Sequence, residues 1–233
     1  SLSDRLLHTM IINSNSFDEN ILKRYPQLHS CKMSVLEALD LLVDCFKKDG
    51  KLMVMGNGGS SADAEHLCAE LVKGNLLQRY LHNEEKKLFS EGSQISASML
   101  QSGLSAMSLG VAHSFLTAFI NDVHPEYIYA QQIWVHGRPN DVVFAFSTSG
   151  MSKNIVLGLK IAKAKGLKTV LLTGSAPNNS SALADVSIHV PEEDTHKVQE
   201  LHLPIYHHLC IELERIFFDP EKGIYYNKFN SAN

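Results

Sequence analysis

Long apolar runs are missing from this chain of 233 residues. No stretch approaches the roughly 20 apolar residues that a helix needs to cross a bilayer, so no membrane partner is expected. A surplus of positive charge is missing too. Lys and Arg number 21 against 25 Asp and Glu, for a net charge near −4. Nucleic-acid binding usually needs a basic face, so no nucleic-acid partner is expected either. Cysteine is scarce, with four in all. Cys31, Cys45, Cys68 and Cys210 make no Cys-x-x-Cys pair and read as small buried hydrophobes of a reducing compartment. The opening "SLSDRLLHTMIINSNSFDEN" has no basic stretch leading into an apolar core, so a secretory signal is not expected. The expected location is cytoplasmic. Internal repeats and low-complexity tracts are also lacking.

What is present is an ordinary globular composition, 44% hydrophobic and 20% charged, at a length suited to one α/β domain. Helices are expected at Asp4 to Asn13 and Met33 to Lys48, which places a helical segment over about residues 1–48. Apolar strand-like runs then alternate with helices. The strands are Leu52–Met55, Leu104–Leu109, Val142–Phe146, Thr169–Thr173 and Val186–Val190. The helices are Ser60–Lys73, His113–Val135 with a break at Pro125, Ser152–Lys165 and Thr195–Phe217. Strands that are apolar throughout, separated by helices, predict a parallel sheet covered on both faces. A connection over about residues 75–103 breaks the rhythm, and a loop of that length is usually functional or mobile.

Two turns carry chemistry. "GNGGSS", Gly56 to Ser61, lies where a strand ends and a helix begins. Its glycines let the backbone approach a ligand, and the helix N-terminus offers N–H groups and partial positive charge. Ser60 can cap the helix or donate to a phosphate oxygen, and a plain capped turn is the alternative. "FAFSTSGMSKN" repeats the arrangement after a later strand, with Ser147, Thr148, Ser149 and Ser152 around one glycine. One hydroxyl is enough to cap a helix, so the surplus favours a phosphate ester held by neutral donors. His66 and Glu70, four residues apart, share a helix face and can form a surface ion pair or serve one metal or proton-transfer site.

Together the Gly-Asn-Gly-Gly-Ser and Ser-Thr-Ser-Gly-x-Ser turns resemble the sugar isomerase (SIS) domain. Within it the chain is similar to the bacterial phosphoheptose isomerases, over about Val35 to Glu214. The resemblance implies an α/β fold of the flavodoxin-like kind, a three-layer αβα sandwich around a five-stranded parallel sheet, with N-terminal helices added to a single SIS domain. It implies an aldose–ketose isomerase that converts sedoheptulose 7-phosphate to D-glycero-D-manno-heptose 7-phosphate through an enediolate. By position, Ser60, Ser147, Ser149 and Ser152 would hold the phosphate, with Gly58 and Gly59 in the turn and Asn57 and Thr148 near the sugar. The family's Asn-Asp pair falls on Asn121 and Asp122. Its zinc ligands, one ion per subunit, fall on His66, Glu70, Gln199 and His207. Glu70 and His207 would be the catalytic pair, and Gln199 would also touch substrate. A homotetramer with active sites at subunit interfaces is implied as well.

One geometric difficulty follows. Gln199 and His207 lie eight residues apart, about 12 Å of helix rise and about 80° of rotation. They cannot meet at one metal on a single straight helix, so either the helix bends near Pro204 or two subunits share the site. Glu200, His202 and His208 then read as structural or solvent-facing. The chain also departs from the family pattern. Ala112 and His196 stand where aspartates are usual, and the 75–103 connection is long. These departures leave open an isomerase for another ketose phosphate. A non-catalytic SIS regulator, resembling the replication-initiator-associating protein, is the remaining alternative.

Overall fold

The computed structural model describes residues 15–89 and 95–225, so the helix expected at Asp4 to Asn13 lies outside the described residues. Five strands form one sheet: β1 (Leu52–Met55), β2 (Ala106–Ser108), β3 (Val142–Ser147), β4 (Lys168–Thr173) and β5 (Val186–His189). Their order is β2-β1-β3-β4-β5, and every pairing is parallel. The second strand is shorter than expected because it is an edge, paired to β1 alone.

Among the described residues, six helices of nine residues or more flank the strands: α1 (Lys32–Lys47), α2 (Gly59–Val72), α3 (His113–Asp122), α4 (Ile128–His136), α5 (Lys153–Ala164) and α6 (Thr195–Phe218). Neighbouring residues of a strand point to opposite faces, and here both faces are covered. Leu52, Val54, Phe144, Phe146, Val170, Leu172 and Ile188 pack against α1, α2 and α6. Met53, Met55, Val143, Ala145 and Leu171 pack against α4 and α5. This is the expected three-layer sandwich. The break between α3 and α4 comes at His124, which is extended (φ −165°, ψ 125°) before a short 3-10 turn, Pro125–Tyr127. Proline disfavours helical backbone in the residue before it. None of the described helices is long and apolar enough to cross a membrane.

The 75–103 connection is tied down at its base. The Glu214 carboxylate on α6 accepts from the backbone N–H of Asn75, Leu76 and Leu77 and from Arg79 Nε at 2.8 Å. Arg79 in turn donates to the carbonyls of Leu71 and Glu70 at the end of α2. Both side chains of this ion pair are buried, at 0% and 1% exposure. Further out, Tyr80 and Gln101 form an antiparallel bridge, and Asn83–Lys86 make a single helical turn capped by His82.

Candidate active site

In a sheet of this order, the connections from β1 and β3 leave in opposite directions, and a crevice opens at their carboxyl ends. Both glycine-serine turns lie there. In the first, Gly58 is the N-cap of α2 with φ 56° and ψ −121°, a conformation that disfavours any side chain. Ser60 was one candidate for that cap. It is instead the second residue of the helix and is buried, because the turn needs the backbone freedom of glycine more than a capping oxygen. In the second turn, Gly150 has φ 61° and donates its N–H to Ser147 Oγ at 3.1 Å. Ser149 Oγ accepts from Met151 N at 3.2 Å. Ser152 is the N-cap of α5, yet its side chain makes no capping bond. Two of the hydroxyls therefore shape the turn, and none caps the helix.

The two turns are joined. Asn57 and Asn154 exchange amide hydrogen bonds of 2.8 and 2.9 Å. The Tyr129 hydroxyl from α4 donates to the Gly56 carbonyl, with Asn57 Oδ1 3.2 Å from the same oxygen. Burial pushes that phenol up to about 12, so it stays a donor. Asn57, expected near the sugar, thus serves as a strut across the crevice.

Farther along α2 stands a second group. His66 Nε2 lies 3.3 Å from Glu70 Oε1, and the His66 and His207 rings meet edge to face with centroids 4.9 Å apart. Glu70 Oε2 is buried with no hydrogen-bond partner; its nearest cation, Lys73 Nζ, is 4.0 Å away. His207 has its pKa lowered, first by burial and then by His66, against the opposing pull of Glu70.

Would this group hold zinc? Among the described residues no three His, Cys, Asp or Glu side chains close on one metal-sized point. The contacts are nevertheless suitable. Bonds of about 2.0–2.1 Å to a tetrahedral zinc set two ligand atoms about 3.3–3.4 Å apart, which is the Nε2–Oε1 separation here, 3.3 Å. His66 and Glu70 fit as the chelating pair, with His207 alongside.

Gln199 is not with them. Its amide covers the first turn so closely that a Cβ on Gly59 would lie 2.9 Å from Nε2. The helix α6 runs unbroken through Pro204, so Gln199 and His207 stay separated by the eight-residue rise. The four expected zinc ligands divide into three and one within a protomer. Asn121 and Asp122 pair with each other at the exposed end of α3, outside both groups. His202 and His208 are buried at 0% and 2% exposure. Ala112 is the N-cap residue of α3 and makes no side-chain bond, while His113 and His196 face solvent. All four cysteines are free and buried.

Sequence reasoning passed over Tyr129, Asn154, Asp63 and Tyr206. Asn154 lay inside the quoted serine motif. An aromatic on an apolar helix face reads as core, so the two tyrosines gave no signal of their own.

Known proteins match most of the chain. Profiles of the SIS domain match residues 17–114 and 101–208. A phosphoheptose isomerase of Geotalea daltonii is 39% identical over 184 residues, which is 79% of this chain and 84% of that protein. One from Leptospira biflexa is 35% identical over 211 residues, 91% of this chain and 97% of the relative. The solved structure of a phosphoheptose isomerase from Neisseria gonorrhoeae superposes with a TM-score of 0.63 at 27% identity, covering 91% of this chain and 97% of that one.

Proposed function

The chain belongs to the SIS-domain phosphoheptose isomerase family, and from that premise we propose that it interconverts sedoheptulose 7-phosphate and D-glycero-D-manno-heptose 7-phosphate. The observation that carries this reading is the placement of His66 and Glu70 along the helix that starts at the first glycine-serine turn, with His207 of α6 against His66. A phosphate held by the two turns leaves the other end of a sugar free to reach a carboxylate and an imidazole.

The reaction moves a proton between C1 and C2 through an enediolate, and needs a base, an acid and stabilisation of negative charge. Ser60, Ser147, Ser149 and Ser152, with the N–H groups of the turns, hold the phosphate, and Thr148 lies near the sugar. Binding energy at that remote end orients the reacting carbons. Glu70 takes the carbon-bound proton. Its Oε1 faces His66 while its Oε2 has no partner, so one oxygen is left for the proton. His207 serves as the complementary acid for the hydroxyl oxygen; its lowered pKa makes the protonated form a readier donor. Zinc bound by His66, Glu70 and His207, one per subunit, would polarise the carbonyl. Gln199, at the first turn, lies nearer the phosphate end and touches substrate there.

A homotetramer completes the proposal. No residue of α3 is fully buried, although Phe115, Leu116, Phe119 and Ile120 line it, and Trp134 on α4 is 59% exposed. A second copy covering that face would bring Asn121 and Asp122 to an interface. The expected cytoplasmic location fits four free cysteines.

Turnover of sedoheptulose 7-phosphate, followed by release of the aldose, tests the reading. Glu70→Gln should lower kcat by about 10²–10⁴, the usual share of general acid–base catalysis. Full activity in that variant would end the assignment of Glu70 as base.

A further inference from the structure

Tyr206 has no part in the mechanism so far, yet it touches the chemistry more closely than any residue except those already assigned. Its side chain is fully buried. Its ring stands edge to face with those of His66, His207 and Phe146. The hydroxyl lies 2.9 Å from His66 Nδ1 and donates to Asp63 Oδ1 at 3.3 Å. Asp63 is three residues before His66 on α2, so both project toward α6.

A phenol has one hydrogen to give. With that hydrogen directed to Asp63 Oδ1, the phenol oxygen can only accept from His66, so the hydrogen of the neutral imidazole must sit on Nδ1. The electron pair is then on Nε2, which faces Glu70 Oε1 across 3.3 Å. Two electron-rich atoms at that distance are poorly placed unless a cation binds both. The other tautomer would put a hydrogen on Nε2, satisfy Glu70, and leave no electron pair for a metal.

We propose that Tyr206, oriented by Asp63, is a positioning residue that fixes His66 in its Nδ1–H tautomer and so keeps Nε2 open to a divalent cation shared with Glu70. The proposal rests on the reading of this site as an isomerase centre only for the use made of the cation; binding itself is measurable without substrate.

The test uses Co²⁺ as an optical probe on the full, metal-stripped chain, with affinity set by chelator competition near neutral pH. Outer-shell partners of metal-binding histidines are typically worth about 10–100-fold in affinity. Tyr206→Phe removes the acceptor for Nδ1–H and should weaken Co²⁺ binding by that factor and alter its visible spectrum. Asp63→Ala leaves the Tyr206 ring in place but frees its hydrogen to turn toward Nδ1, which reverses the bond and predicts a similar loss. The double variant should lose little more than either single one. A role confined to core packing predicts a loss in Tyr206→Phe only. Equal affinity in wild type and both single variants, or no saturable Co²⁺ binding by wild type, overturns the proposal. Isomerase assays separate it from the functional reading. Wild-type turnover with unchanged variant affinities removes the tautomer lock alone. Weakened variant affinities without wild-type turnover remove the isomerase alone.

Discussion

Replacing Arg79 with methionine should be among the most damaging single changes outside the crevice. The guanidinium is fully buried, and its three nitrogens bond Glu214, Leu71 O and Glu70 O while its plane lies 4.6 Å over the Phe218 ring. Arg79→Met keeps much of the apolar stem but removes the charged partner of the Glu214 carboxylate, which keeps only its backbone donors, and strands two helix-end carbonyls. Breaking one side of a buried ion pair costs about 3–5 kcal/mol. For a chain of this size each kcal/mol moves the melting temperature by about 2–4 °C, so a fall of about 10 °C is expected. Circular dichroism melts at fixed protein concentration provide the assay. The control is Lys48→Met, which breaks the Lys48–Asp44 pair of 2.7 Å with both side chains more than half exposed; such pairs contribute about 0.2–1 kcal/mol. If Arg79→Met melts no lower than Lys48→Met, the 75–103 connection is not anchored as described. Because Arg79 also bonds the Glu70 carbonyl, kcat should fall with stability.

Three other outcomes follow from the same geometry. Asn154→Ala removes the amide partner of Asn57 and loosens the link between the two turns, so KM and the inhibition constant for inorganic phosphate should rise together about tenfold, the effect of roughly one lost hydrogen bond, while kcat changes less; an unchanged KM would count against the strut. Gly59→Ala puts a methyl group where the Gln199 amide lies, and should raise KM by displacing it without a large loss of stability; an unchanged KM would show that Gln199 makes no substrate contact. Stability should fall with acid. His202 and His208 are held to about 4 by burial against an ordinary value near 6.5, so the unfolded chain binds more protons between those pH values and stability rises with pH across that window. The difference is worth up to about 3 kcal/mol per histidine. Glu214 adds to the trend at lower pH: burial opposes its ionisation, but the N–H groups of Asn75 and Leu76 and the Arg79 guanidinium hold its pKa below the usual range. Urea titrations at pH 7 and pH 5 check the slope, and equal midpoints would contradict it.

The layers of this fold were legible because apolar runs such as Val142–Phe146, alternating with helices, mark strands buried on both faces. The break before Pro125 was legible for a local reason, the restriction on the preceding residue. Capping preference made Ser60 a candidate cap, but the cap falls two positions earlier, at Gly58, where φ is positive. Spacing alone indicated that Gln199 and His207 stand apart, since helix rise is fixed by geometry, and they do stand apart. What spacing could not give is which long-range partners meet. Tyr206 reaches Asp63 and His66 across 143 and 140 positions of sequence, and Tyr129 reaches Gly56 across 73. Such contacts depend on how α4 and α6 dock on the sheet, which no local pattern encodes.

The most direct test of the central claim is proton NMR of the zinc-loaded protein with sedoheptulose 7-phosphate in D₂O. The account predicts growth of an aldose anomeric signal with deuterium at C2, in wild type and far more slowly in Glu70→Gln. A folded wild-type protein that yields neither product nor exchange would contradict it.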